Sequence, residues 1–487
     1  MTDAANGLLC QTADWDFATL QRIHDACEKV ALGELGLDVY PNQIEIITAE
    51  QMLDAYSSAG MPLYYRHWSF GKHFASQEAF YRKGLMGLAY EIVINSSPCI
   101  SYLMEENTAT MQALVIAHAA FGHNHFFKNN YLFRQWTDAE GILDYLDFAK
   151  SYVAQCEERH GRLAVELTLD AAHALMSHGI DRYPGKKNLD LRADEKRAEE
   201  RRAHEESVFN DLWRTVPTGP VKSAELLSTE RRRKLLGLPR ENILYFLEKV
   251  APRLQPWQRE LLRIVRHIAQ YFYPQSQTKV MNEGTATYVH YRIMNRLHEQ
   301  GRLSDGNFLE FLQSHTNVVF QPDFDDPRFS DFNPYALGFA MMQDIERIVS
   351  NPDDEDREWF PDIAGSGDVM AVLRNTWANY RDESFISQFL SPRLMRKLRM
   401  FHLHDDPQEA AGIRVDAIHD ARGYRRIRRE LARQYDVGYI DPNIEVVDVD
   451  LAGDRRLMLR HVVVKGRAAH AREDFPKRDD AWPTLED

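Results

Sequence analysis

The stretch NTATMQALVIAHAAFGHNHFFKNNY, residues 107–131, does most to decide the fold of this chain. Its apolar residues recur at helical spacing and it holds no proline, so it predicts one long helix. Three histidines interrupt the apolar residues, at positions 118, 123 and 125. Neutral imidazoles are the commonest nitrogen ligands of zinc and other transition metals, so this helix is also the first candidate for a functional site.

The spacing of the histidines is unusual for a metal-binding helix. Residues i and i+4 lie about 40° apart around an α-helix, whereas i and i+5, the spacing of His118 and His123, lie about 140° apart. A straight helix would not direct both at one ion, but a π-bulge or a break at Gly122 would add the missing rotation. His125 shares the face of His118 about 10.5 Å further along the axis, so we expect it to support the site or contact substrate.

A second polar group, NEGTATYVH at residues 282–290, opens a later helix. In gluzincin peptidases one helix supplies two histidines and a later one a glutamate, and Glu283 can be that third ligand. The glycine and small residues after it allow two helices to approach closely. His290 is expected to support the site or contact substrate. The predicted metal ligands are therefore His118, His123 and Glu283, holding zinc or another divalent transition metal.

One part of a metallopeptidase site is absent from the local pattern. The motif H-E-x-x-H has a glutamate beside the first histidine to take a proton from the metal-bound water, but this chain has Ala119 there. Glu105 lies more than three helical turns earlier, and only the fold could bring an acidic side chain close to the histidines.

Asp170 and His173, three residues apart on a predicted helix, are further candidates for a supporting role. A polar core network of histidines and carboxylates would leave the same pattern, so the sequence does not decide whether the chain is an enzyme.

Composition sets the broader class. Of 487 residues, 44% are hydrophobic and 27% charged, as in globular proteins, and the length predicts more than one domain. The net charge of −14 argues against general nucleic-acid binding. No signal peptide or membrane span is evident, and the scattered cysteines fit a cytoplasmic protein. No P-loop, dinucleotide-binding or kinase motif occurs, so we expect no nucleotide cofactor.

The predicted fold class is mainly α. Helical spacing favours a large helical N-terminal domain, residues 1–404, which is expected to be zincin-like around the two metal-site helices. The mixed charges at about 186–206 predict a surface insertion. From 405 to 487 we predict a small α+β domain with a polar tail, because a helix precedes two β-branched runs around a Gly453-Asp454 turn.

Long, uncommon strings in the same order make the chain resemble the stage V sporulation protein R (SpoVR-like) family. The strings are at 15–17, 65–72, 87–95, 104–108, 118–130, 281–284, 333–338, 382–385 and 418–424. The resemblance implies a cytoplasmic bacterial protein with a large N-terminal and a small C-terminal domain, tied to spore cortex formation or to stress responses. It also implies two partners, a PrkA-type serine protein kinase and a von Willebrand A-like protein.

The residues and the resemblance together leave two functional hypotheses open. One is a regulatory role in sporulation or stress, with a metal at His118, His123 and Glu283. The alternative is a metal-dependent hydrolase of the gluzincin type, acting on a peptide or cell-wall amide. The family pattern has tryptophans where this chain has Thr285 and Val289, so packing or substrate contacts near Glu283 are expected to differ. The chain also departs from the family pattern after residue 466.

Overall fold

The computed structural model describes most of the chain. The described residues are 7–58, 64–82, 90–180, 242–323, 326–329, 331–400, 402–405, 413–416, 420–436, 444–449 and 457–461. The predicted charged insertion at 186–206, the predicted turn at Gly453-Asp454 and the polar tail lie outside these ranges. The chain divides into two compact units, one of residues 1–159 and 271–436 and the other of residues 160–270 and 437–487.

The protein is mainly helical, which confirms the predicted fold class, although the zincin-like detail remains a prediction. In chain order, the first helices are α1 Phe17–Glu28, α2 Ala49–Ser57, α3 Trp68–Arg82, α4 Ala109–Ile116, α5 Asn124–Asn129, α6 Tyr131–Trp136, α7 Ile142–His160 and α8 Arg162–Ala174. The later ones are α9 Ile243–Val250, α10 Pro256–Gln277, α11 Lys279–Glu299, α12 Asp305–Val318, α13 Pro334–Ser350, α14 Asp354–Trp359, α15 Val369–Asn379, α16 Asp382–Phe389, α17 Pro392–Lys397 and α18 Ala421–Gln434. Two π-helical segments, Lys29–Glu34 and Ala117–His123, continue α1 and α4. No helix in the described ranges has the length and apolar character to cross a membrane.

A three-stranded sheet lies in the first unit. Its strands are β1 Asn42–Ile47, β2 Glu91–Ile94 and β3 Cys99–Met104, in the order β1-β3-β2. β3 pairs in parallel with β1 and antiparallel with β2, with Glu91 opposite Leu103. Because β3 is central, β2 is one edge of the sheet.

The predicted long helix is present as α4, the π-helical segment Ala117–His123 and α5 in uninterrupted succession. Its start is fixed by Thr108, whose side chain accepts a hydrogen bond from the backbone N–H of Met111. Every residue of α4 and of the π-helical segment is buried. α11 packs against the π-helical segment and against α13. The histidine helix therefore runs through the core, with the helix of Glu283 beside it.

Short strand pairs complete the described structure. In the first unit, β4 His402–Asp405 pairs antiparallel with β5 Ile413–Asp416. In the second unit, β6 Ile444–Val449 pairs antiparallel with β7 Leu457–His461, which confirms the predicted hairpin strands. Ile444 and Val446 of β6 pack with Ile243 and Phe246 of α9 in a small core. The predicted domain boundary at 404/405 remains a prediction.

Candidate metal centre

The π-helical segment Ala117–His123 brings its two histidines to one point. A π-helix hydrogen-bonds from i to i+5, so residues five apart share a face, as residues four apart do in an α-helix. The rings of His118 and His123 have centroids 4.6 Å apart and planes at 89°. Of the two alternatives that the histidine spacing left open, a π-bulge and a break at Gly122, the structure has the π-helical one, and it supplies the missing rotation.

Glu283 approaches both imidazoles from α11. Its Oε2 lies 3.8 Å from Nε2 of His118 and 3.5 Å from Nε2 of His123. The next residue, Gly284, lies against Gly338 of α13, where an added Cβ would come within 2.6 Å of the Gly338 backbone. The small residues after Glu283 therefore do allow close helix packing. The structure brings the three predicted ligands together.

A fourth donor, Glu91, was not predicted. Its Oε1 lies 3.7 Å from Nε2 of His118, and one donor atom each from Glu91, His118 and His123 lie within 4.8 Å of one another. Glu91 begins β2, whose other residues are Ile, Val and Ile. A lone carboxylate in an apolar strand is a signal that could have indicated a buried role, but only the fold shows which histidines it meets.

The spacing of the donors fits a metal ion. Ligands of a tetrahedral zinc ion at about 2.0–2.1 Å are about 3.3–3.4 Å from one another, slightly less than the 3.5 and 3.8 Å from Oε2 of Glu283 to the two imidazole nitrogens. Nε2 of His118 and Oε2 of Glu283 are both buried and have no hydrogen-bond partner. Buried polar atoms are normally paired, so two facing atoms without hydrogen-bond partners fit a metal ion between them. The carboxylates of Glu91 and Glu283 are each 18% exposed and the two imidazoles 4% and 8%, so the carboxylates form the more open side.

Both histidines have partners on their other ring nitrogen. Nδ1 of His123 lies 2.9 Å from Oδ1 of Asn282 and donates to it, which leaves the Nε2 lone pair for the cluster. Nδ1 of His118 lies 2.9 Å from Nδ1 of His290, and Nε2 of His290 lies 2.9 Å from Nδ1 of His315. If Nε2 of His118 binds a metal, Nδ1 of His118 carries a proton and donates to His290, which donates in turn to His315.

Burial favours the neutral form of three imidazoles, those of His123, His290 and His315. It lowers the pKa of His123 and of His315 to about 4, and that of His290 well below the ordinary value. Repulsion from neighbouring histidines adds to the lowering in all three. The neutral ring is the form that binds metals, so these residues have the right protonation state at neutral pH.

The two carboxylates differ in their electrostatics. Burial raises the pKa of Glu283, but His123, His118 and a hydrogen bond from Tyr335 outweigh it and the net pKa is lowered. For Glu91, burial dominates and raises the pKa, although His118 opposes the change. Glu283 is therefore the resident anion, whereas Glu91 accepts a proton more readily.

The other predicted residues lie in different places. His290 contacts His118 as described, but the ring of His125 packs against Trp377, with Nδ1 bonded to the backbone of Asp38. Glu105 is exposed and follows β3 directly.

Asp170 and His173 lie on α8, in the second unit. Their part in the site, and that of Glu105, remains a prediction. His315 and Tyr335, whose ring stacks on that of His118 at 6.3 Å, were not predicted. No local pattern marks them, because they reach the cluster from α12 and α13 through packing alone.

Comparison with known proteins identifies relatives along nearly the whole chain. The family described as "SpoVR like protein" matches residues 14–440, and the family described as "SpoVR-like C-terminal domain" matches residues 442–473. The chain is 54% identical over 449 residues to the "Uncharacterized protein YcgB" of Escherichia coli strain K12, covering 92% of this chain and 87% of that protein. No solved structure matches. The resemblance noted from the sequence strings is confirmed.

Proposed function

This chain belongs to the SpoVR-like protein family, and we propose that it is a metal-dependent hydrolase acting on an amide bond. The observation that carries the proposal is the convergence of two imidazole nitrogens and two carboxylates in the core of the first unit. Nε2 of His118, Nε2 of His123 and Oε2 of Glu283 would hold the ion, with zinc as the first candidate. A set of two histidines and one glutamate that leaves a coordination position open is typical of hydrolytic zinc sites.

The surroundings of the donors support metal binding over a purely structural network. In a structural network the facing atoms would bond to each other, yet the imidazole and carboxylate atoms remain 3.5–3.8 Å apart. Asn282 and His290 fix the two imidazoles from behind, as outer partners of metal-binding histidines commonly do. The same donor set would also suit iron(II), which two histidines and one carboxylate bind in oxygenases.

Glu91 is the residue that replaces the glutamate absent at Ala119. A metal at this site would polarise a carbonyl and make a bound water a stronger acid. Glu91, 3.7 Å from Nε2 of His118, is placed to take a proton from the attacking water and return it to the leaving amine nitrogen. A C–O bond then forms and the C–N bond breaks, which gives a carboxylic acid and an amine. Burial raises the pKa of Glu91 above its ordinary value, and this favours a carboxylate that accepts a proton and returns it.

Metal analysis of tag-free protein tests the proposal. Wild type should hold about one zinc, iron or manganese per chain, and Glu283→Gln and His118→Ala should lose it. Glu91→Gln should keep the metal but lose hydrolysis in a screen of peptides and cell-wall fragments. His125→Asn is the matched control, because this buried histidine of the same helix lies outside the cluster and an Asn oxygen can replace its Nδ1. A folded, metal-free wild type, or equal metal in all variants, would refute the metal site.

A second candidate function is regulation through protein partners. The exposed arginines of α18 favour it, since they form a basic surface in an acidic chain: Arg422, Arg425, Arg426, Arg429 and Arg433. The predicted partners are a PrkA-type serine protein kinase and a von Willebrand A-like protein, in sporulation or stress. Pull-downs with purified partners test this role. Binding that survives His118→Ala but not Arg425→Glu with Arg429→Glu would support it, and no binding by wild type would contradict it.

A further inference from the structure

We propose that the outer edge of β2 binds the substrate as an extended, basic polypeptide strand. The inference rests on the proposed function, and it narrows the amide substrate to a peptide. β2 is an edge of the three-stranded sheet formed by the described residues, and it packs against the π-helical segment that holds the two histidines. A peptide that pairs with this edge would pass beside the metal ligands.

The hydrogen-bond pattern shows which backbone groups of β2 face outward. The N–H of Met104 donates to the carbonyl of Tyr90 at 3.3 Å, so this pair is a hydrogen-bonded one. In an antiparallel ladder such pairs alternate with non-bonded ones. The register then makes Ile92 and Ile94 bonded positions, while the N–H and C=O groups of Glu91 and Val93 point away from β3. An added strand hydrogen-bonds to the backbone of every second residue of the edge strand. The outward N–H and C=O groups of Glu91 and Val93 have this spacing.

The outward groups coincide with the candidate metal centre. The backbone N–H and C=O of Glu91 point away from β3, and its carboxylate lies 3.7 Å from Nε2 of His118. A paired strand would lie about 4.8 Å from β2, so its backbone would pass the more open, carboxylate side of the cluster. Pairing would therefore hold a peptide bond beside Glu91 and would fix its direction along β2.

Charge at this end of the sheet indicates which peptides bind. Because β2 and β3 are antiparallel, the start of β2 lies beside the end of β3, which Glu105 and Glu106 follow. Glu106 accepts a hydrogen bond from the backbone N–H of Ala49 at the start of α2. Glu105 is exposed, and within the described ranges no lysine or arginine forms an ion pair with it. The negative charge of Glu105 attracts cations, so the edge should prefer peptides with lysine or arginine near the bound amide.

Peptide capture by full-length, zinc-loaded Glu91→Gln protein tests the proposal, because this variant should bind without cleaving. The probes are a randomised decapeptide library and the same library with N-methyl groups on alternate residues, with retained peptides identified by mass spectrometry. We expect retention of peptides enriched in lysine and arginine. A second substitution, Val93→Pro, removes an outward N–H and spares the β2–β3 ladder, so it should lower retention about five- to tenfold. The control Ile92→Val changes the neighbouring residue, whose backbone groups bond to β3, so it should retain peptides normally.

Each outcome separates this inference from the proposed function. If wild type binds zinc but Glu91→Gln retains no peptide, edge binding is wrong and the metal site stands. Equal retention of the N-methylated library would also overturn edge pairing, and this measurement does not depend on the folding of Val93→Pro. If wild type binds no zinc, the proposed function fails and this inference fails with it.

Discussion

A Cβ atom added to Gly122 would lie 2.5 Å from the Cα of Ala286 and 2.9 Å from its Cβ. Real Cβ contacts are essentially never this short, so the π-helical segment and α11 approach as closely as two backbones can. This contact lies one residue before His123 and three residues after Glu283. The two helices that hold the candidate ligands can therefore approach this closely only because residue 122 is a glycine, which has no side chain.

Gly122→Ala should separate these helices. Overpacking a core of this kind costs about 1–3 kcal/mol of unfolding free energy, and the displaced donors should lower zinc affinity at least tenfold. Urea unfolding of metal-free protein and zinc competition with a chelator measure the two effects. Gly33→Ala is the matched control: Gly33 also lies in a π-helical segment, but nothing lies within 4 Å of its added Cβ. Equal effects of the two variants would contradict the packing argument.

His290→Ala should weaken zinc binding at the proposed site without removing a proposed ligand. Nδ1 of His118 then loses its partner at 2.9 Å, and loss of such an outer partner typically costs 10–100-fold in metal affinity. Zinc competition measures the change, with circular dichroism to check folding. His298→Asn is the control, since it lies on the same helix α11 and pairs with Asp305 away from the cluster. Unchanged affinity in His290→Ala would mean that His118 is oriented by packing alone.

Local sequence signals predicted the helices of the candidate metal centre because the causes of these helices are local. The apolar spacing of α4 and α5 and the five-residue interval from His118 to His123 both act within a few turns. The same interval showed that a π-bulge or a break at Gly122 would be needed to turn His118 and His123 toward one point. The small residues after Glu283 indicated close helix packing for the same reason.

Glu91 could not be found in this way, because its role depends on tertiary structure. The sheet order makes β2 an edge, and the register of Glu91 opposite Leu103 places its side chain on the buried face. Both depend on the pairing of strands with a third, β1. His315 likewise reaches His290 only because α12 packs beside α11. Pairing and packing between distant segments have no local signature in one sequence.

Acid should destabilise the metal-free protein through its buried histidines. Burial lowers the pKa of His315 to about 4, against about 6.5 in the unfolded chain. Between these values the unfolded state binds the proton and the folded state does not, so stability falls as pH decreases from about 6.5 toward 4. In the His315→Asn variant, the unfolding free energy should fall less steeply with decreasing pH than in wild type. Above pH 7 its pH dependence should be the same in both proteins. Urea unfolding at pH 7.5, 6 and 5 measures the slopes, and parallel curves for the two proteins would argue against a neutral, buried His315.

Asp382 supports the start of α11 from a distant helix. Its Oδ2 and Oδ1 accept the backbone N–H groups of Val280 and Met281, each at 2.8 Å, and the side chain is buried. Burial raises its pKa to about 7 despite these bonds. Asp382→Asn keeps one acceptor oxygen but turns an amide donor toward the other N–H, which leaves buried groups unpaired at a cost of about 1–3 kcal/mol.

Because Met281 is two residues before Glu283, the same substitution should also lower zinc affinity. Urea unfolding without zinc and zinc competition measure the two effects. Asp368→Asn is the matched control, since Asp368 caps α15 on the surface through the N–H of Ala371, and aspartate and asparagine are equivalent caps there. Equal stability of the two variants would show that Asp382 does not hold α11. Lost stability with unchanged zinc affinity would show that the first turn of α11 can shift without moving Glu283.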